Sequence, residues 1–174
     1  MKKKWFFLII LVFIGSFAAC RAVAIDADYP TYDSAQDLVD QADLIFSGRL
    51  EEISYEVLDV RTEKEKDSEV GLSESQGLPY TIYKIRVEEI YKGSSDETYI
   101  SIKCLGGEVN NVEYVSEEKI VLKEDTSYLF LTKTYENTYP SLLNITQSTY
   151  DMNNPSMVSE EVDITLSDIL GILQ

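Results

Sequence analysis

The 174-residue sequence contains no histidine. That excludes a Ser-His-Asp triad, a Cys-His pair and the histidine-bearing zinc sites. Cysteine occurs only as Cys20 and Cys104. The two could pair in principle, but the position of Cys20 suits another use, set out below. Positive charge is scarce, with 15 basic residues against 31 acidic ones. Lys2, Lys3 and Lys4 account for all the charge before Cys20, so the rest of the chain carries 12 basic residues and a net charge of −19. A surface that acidic repels nucleic acid, whose binding needs cations against phosphates. It is also repelled by anionic lipid unless something else holds it there. Its simplest consequence is solubility. Nucleotide and calcium signatures are missing as well. Gly106-Gly107 lies in no strand–GxGxxG–helix unit, and the acids of Arg21–Asp33 lack EF-hand spacing. No cofactor, metal ligand or catalytic residue is assigned on these grounds.

What is present begins at the N-terminus. Lys2–Lys4 precede an apolar run, Trp5–Phe17, and small residues follow it. This is the pattern of a secretory signal peptide over residues 1–19. As a helix the run would span roughly 20 Å, short of a hydrocarbon core of about 30 Å. Phe17-Ala18-Ala19-Cys20 then resembles the lipobox of bacterial lipoproteins. The resemblance covers about twenty residues and departs from the usual pattern at Phe17, where leucine is common. It implies that the Cys20 thiol receives a diacylglyceryl group and that cleavage leaves Cys20 first. Two acyl chains give stable anchoring where one gives only marginal binding. The expected location is the extracytoplasmic face of a bacterial cell membrane. Ordinary secretion with cleavage near Ala19 or Ala24 is the alternative. Residues 20–33, with Pro30 and no sustained period, read as a tether.

Residues 34–174 read as one domain. Ser34 and Asp37 make a capping-box-like start, and Ala35, Leu38, Val39 and Ala42 share one face of a short helix. Leu44–Leu58 reads as a long strand whose two faces are not cleanly separated, with Gly48 at a position suited to a bend. In Tyr80–Tyr91 the alternation is clean. Thr81, Tyr83, Ile85 and Val87 take one face, and Lys84, Arg86 and Glu88 the other. Lys92-Gly93 turns the chain into Thr98–Cys104, where Cys104 shares the apolar face as a small, inert core residue. Val112–Val115 and Lys119–Leu122 read as short strands. Ser127–Tyr135 is apolar on both faces at its start and so reads as central. Tyr139–Tyr150 reads as a last β segment, and Thr165 with Asp168 caps a short amphipathic helix. Between the first two strands lies Asp59–Pro79, 21 residues rich in Glu, Lys, Ser and Gly, whose composition suits a flexible loop.

Ala42–Leu50 (ADLIFSGRL), Tyr80–Gly93 (YTIYKIRVEEIYKG) and Glu124–Leu131 (EDTSYLFL) resemble the barrel of tissue inhibitors of metalloproteinases and netrin-like modules, and uncharacterised bacterial secreted proteins of similar size. The resemblance covers Asp43–Tyr150. It implies a mainly β fold, a small OB-like antiparallel barrel with a short helix at each end. That family's inhibitors use a disulfide-fixed N-terminal cysteine. Here Cys20 lies well upstream of the barrel, so no inhibitory residue carries over. The functional expectation is a lipid-anchored, non-enzymatic binding or accessory module with an unknown protein or small ligand as partner. Its expected contacts are the 59–79 loop or the strand face carrying Lys84 and Arg86. Strand-neighbour carboxylates pairing those cations are the simpler account of them. The competing class is a carboxylate-based hydrolase. It needs a carboxyl with a raised pKa in a cleft, and neighbours such as Glu51-Glu52 and Glu88-Glu89 point to opposite faces of a strand.

Overall fold

The computed structural model describes residues 21–25, 27–60, 77–116, 118–154 and 163–174. The expected signal peptide, the lipidation residue Cys20 and residues 61–76 of the expected loop lie outside the described residues. In chain order the elements are β1 (Arg21–Ile25), α1 (Ala35–Gln41), β2 (Leu44–Leu58), β3 (Leu78–Lys92), β4 (Tyr99–Leu105), β5 (Gly107–Val109), β6 (Val112–Ser116), β7 (Ser127–Lys133), β8 (Ser141–Leu142), β9 (Thr149–Asp151) and α2 (Leu166–Ile172). The fold is mainly β, with two helices among the described residues. Among the described residues no helix is long and apolar enough to cross a membrane.

Five strands close a hydrogen-bonded ring in the order β2-β3-β4-β8-β7, with β7 returning to β2. All the pairings are antiparallel except β4 with β8, which is parallel. The alternating residues divide between two cores. Phe46, Ile85, Ile102 and Phe130 are fully buried inside the ring, and the Phe46 and Phe130 rings stack at 5.2 Å. Ile45, Leu129 and Leu131 point outward, where Leu38 and Val39 of α1 and Leu166 and Ile169 of α2 cover them. Fully burying one such side chain contributes roughly 1.5–3 kcal/mol. The two-sided apolar pattern of β7 therefore has a direct cause, because the strand separates the two cores.

Gly48 sits where β2 pairs with both neighbours, opposite Val87 on one side and Tyr128 on the other. A Cβ there would lie 2.4 Å from the Arg86 carbonyl oxygen, so only glycine permits this approach. The β2–β3 register shifts at three places, and the last, between Leu50 and Glu52, moves β2 by one residue relative to β3. Before it, Leu44, Phe46 and Leu50 serve the inner core. After it, Ile53 and Tyr55 lie beside the inward residues Tyr83 and Thr81. One extra residue thus changes the parity of the inner face. The strand's two faces look mixed in the sequence for this reason and because, at its start, Leu44 and Phe46 serve the inner core while Ile45 serves the helix-covered one.

Both helix starts match their capping residues. Ser34 Oγ accepts from the Asp37 N–H at 3.1 Å, and Thr165 with Asp168 forms a full capping box. Three segments differ from the sequence reading. Lys119–Leu122 forms no strand. Tyr139–Tyr150 is split into β8 and β9, which take successive parts of one β7 edge. The Asn144 side chain accepts from the Thr146 and Gln147 N–H groups between them, and this local turn interrupts the strand. Third, β1 lies within the stretch 20–33 and pairs in parallel with β6, from Arg21 opposite Val112 to Ile25 opposite Ser116. With β5 these strands form a second, three-stranded sheet. The hairpin between β5 and β6 turns on Asn110 and Asn111, both at positive φ as a two-residue hairpin turn requires.

Candidate functional site

The face carrying Lys84 and Arg86 is the outer face of β3. Lys84 stands opposite Glu52 of β2 and Ser101 of β4, and Arg86 opposite Arg49 and Tyr99. The Lys84 ammonium lies 3.7 Å from Glu52 and 5.0 Å over the Tyr99 ring. An exposed pair of this kind contributes about 0–1 kcal/mol. Arg86 is exposed, and its charge adds to the field on Glu88. The Glu88 carboxyl is held below its ordinary range, first by the Ser127 hydroxyl and then by Arg49, which bonds it at 2.7 Å. A general acid needs the opposite shift. Further along the same face Lys103 is buried. Its ammonium donates to the Tyr139 carbonyl at 2.7 Å and lies 4.0 Å from the Tyr135 ring centroid. The outer face thus carries four cations, Arg49, Lys84, Arg86 and Lys103, and all but Arg86 already have partners among the described residues. The other expected contact region, 59–79, is described only at its ends, where Leu78 and Pro79 already belong to β3.

A different feature opens on the inner side. β7 accompanies β2 only as far as Arg49. Beyond that point β2 keeps β3 as its one strand neighbour among the described residues, while β4 continues along the far edge of β3, and the inner face of the β2–β3 pair emerges from the ring. Ile53 and Tyr55, which continue the inward series, are 47 % and 51 % exposed. The β5–β6 hairpin folds back towards this face and leaves a pocket of about 240 Å³ between them. Gly106 and Gly107 make the return possible, at φ +99° and +129°. A Cβ on Gly107 would sit 2.6 Å from the Tyr55 ring and 2.8 Å from the Thr81 hydroxyl. Thr81 fixes the turn by donating to the Gly106 carbonyl at 2.9 Å.

The pocket floor is Thr81, Tyr83, Cys104 and Ile120, all buried. Burial pushes the Tyr83 hydroxyl up to about 12, with smaller contributions from Cys104 and Tyr55. Burial also pushes the Cys104 thiol up to about 12. Both groups are therefore neutral at physiological pH, and Cys104 is a thiol rather than a nucleophilic thiolate. The walls add Tyr55 and Tyr114, and among the described residues the rim carries Glu108, Glu113 and Glu118 against a single cation, Lys119. The result is an uncharged aromatic interior with an acidic mouth.

Sequence reasoning located Cys104 as a core residue but missed the pocket around it. Its signals were indirect. They are the inward tyrosines Tyr55 and Tyr83, the Gly106-Gly107 pair and the Asn110-Asn111 turn, which together bring Ile53, Tyr55, Thr81, Tyr83, Tyr114 and Ile120 onto one concavity. Among the described residues no group of three or more Cys, Asp and Glu side chains is arranged to hold a metal ion. No protein-family model matches the chain, and no curated protein matches it.

Proposed function

We propose that this chain is a lipid-anchored, extracytoplasmic binding module whose domain is an OB-type barrel and whose ligand site is the pocket at the open end of the ring. One observation carries the binding reading: the inner face of the β2–β3 pair leaves the ring with apolar and aromatic side chains still pointing inward. Ile53 and Tyr55 are half exposed there, over a buried floor and under a hairpin that encloses them. Concave sites with an apolar lining and a few convergent polar groups are the usual form of small-ligand sites. The OB-type reading is supported by a five-stranded ring closed between β7 and β2. The anchor reading is supported by Lys2–Lys4, the Trp5–Phe17 run and Ala18-Ala19-Cys20. β1 begins one residue after Cys20 and pairs with β6, the strand that carries Tyr114 of the pocket. An acylated Cys20 would therefore hold the pocket-bearing sheet close to the membrane surface.

Fractionation of cells making the wild type and Cys20→Ala, with and without globomycin, tests the anchor. The wild type is expected in the membrane fraction. Cys20→Ala is expected to leave a slower-migrating precursor without lipid, and globomycin a slower-migrating precursor that still carries the diacylglyceryl group. Identical mobility and distribution in all samples would overturn this part of the reading.

A further inference from the structure

We infer that the pocket takes a small alkylammonium compound, bound through the faces of its tyrosines and steered by the acids at its mouth. This rests on the binding reading above and names the ligand class of that same site. Three tyrosines, Tyr55, Tyr83 and Tyr114, line one cavity. An aromatic ring attracts a cation over its face, and the attraction grows as the cation is desolvated. Tyr83 stays neutral because burial raises its hydroxyl, so the ring meets a ligand as a phenol with its π-face intact. The rim supplies the complementary field, with three carboxylates among the described residues, Glu108, Glu113 and Glu118, against the one ammonium of Lys119.

The whole chain reinforces the same sign, at a net charge of −16. Clefts lined by one sign of charge concentrate the opposite ion and speed its arrival. An anionic ligand would have to enter against that field, and a neutral one would gain nothing from it. Size restricts the choice further. A volume of about 240 Å³ lies below the roughly 300–1,000 Å³ usual for drug-sized ligands. It suits a headgroup-sized cation with a short chain. Gly107 sets that size, because any side chain there would strike Tyr55 and Thr81 and push the hairpin off the β2–β3 pair.

Calorimetric titration of the full mature protein in neutral detergent micelles tests this, using choline, its uncharged carbon isostere 3,3-dimethylbutan-1-ol and the anion 3,3-dimethylbutanoate as probes. Choline is expected to bind about tenfold or more tightly than the isostere, as cation–π contacts at a desolvated site imply. The anion is expected not to bind, and added salt should weaken choline but not the isostere. Tyr55→Leu should cut choline affinity by about fivefold or more with the isostere unchanged. Lys119→Gln should strengthen choline binding, a gain that misfolding cannot produce. If the isostere binds as well as choline, or Lys119→Gln weakens choline, the ammonium assignment is overturned and the binding reading stands. If none of the three probes binds, both are overturned.

Discussion

Replacing Lys103 by methionine should change how the stability of this protein depends on pH. Lys103 lies on the outer face of β4 and is only 6 % exposed. Its ammonium has the Tyr139 carbonyl at 2.7 Å and the Tyr135 ring at 4.0 Å, and among the described residues no carboxylate pairs with it. Burial lowers its pKa from 10.5 to about 8. The folded protein therefore binds fewer protons at this amine than the unfolded chain does at any pH between those values. Stability must rise with pH across that interval, because the cost of burying the charge is complete below about 8 and gone above the unfolded value. Taken at face value the shift corresponds to roughly 3 kcal/mol. The carbonyl bond, the Tyr135 face and water still reaching the ammonium offset part of it, so about 1–2 kcal/mol is the expected gain between about pH 7 and pH 9.5. Urea unfolding of the wild type and Lys103→Met over that range isolates the effect, because every other titration is common to both proteins. The wild type should gain stability relative to Lys103→Met as pH rises. Parallel profiles, or a relative loss in the wild type, would refute the reasoning and show that the ammonium is solvated or paired.

Three further outcomes follow from particular contacts. Gly48→Val places a Cβ 2.4 Å from the Arg86 carbonyl and 2.7 Å from the Ile85 side chain; it should cost about 2 kcal/mol or more, read as a lower Tm, and an unchanged Tm would show that β2 is not pinned there. Cys104, buried with its thiol raised to about 12, should resist iodoacetamide in the native protein and react once denatured, whereas rapid native labelling would place it at the surface. Thr165→Ala removes the hydroxyl that accepts from the Asp168 N–H at 3.1 Å; it should cost about 1 kcal/mol in thermal unfolding, with no change if α2 adds nothing to the outer core.

The strands that carry both cores were legible because burial imposes a period of two. Tyr83, Ile85, Ile100, Ile102 and Phe130 are buried where alternation puts them. The helices were legible because Ser34 and Thr165 satisfy N–H groups within their own first turns. Other features depend on residues distant in sequence. β1 has no pattern of its own, and its conformation comes from pairing with β6 about ninety residues later. The inward turn of Ile53 and Tyr55 depends on one irregularity at Leu50–Glu52, which leaves no local composition signal. Lys103 alternates like a solvent-facing residue, and it is buried only because the 134–140 connection folds across it. The pocket depends on two of these features at once, the change of phase in β2 and the return of the β5–β6 hairpin.

Intact-mass and N-terminal peptide analysis of the protein extracted from membranes tests most directly the claim that this domain works from a lipid anchor. The account predicts a polypeptide that begins at Cys20 and carries a diacylglyceryl group on its thiol, with the pocket-bearing sheet starting at the next residue. A membrane form retaining residues 1–19, or an unmodified chain beginning near Ala24, would contradict it.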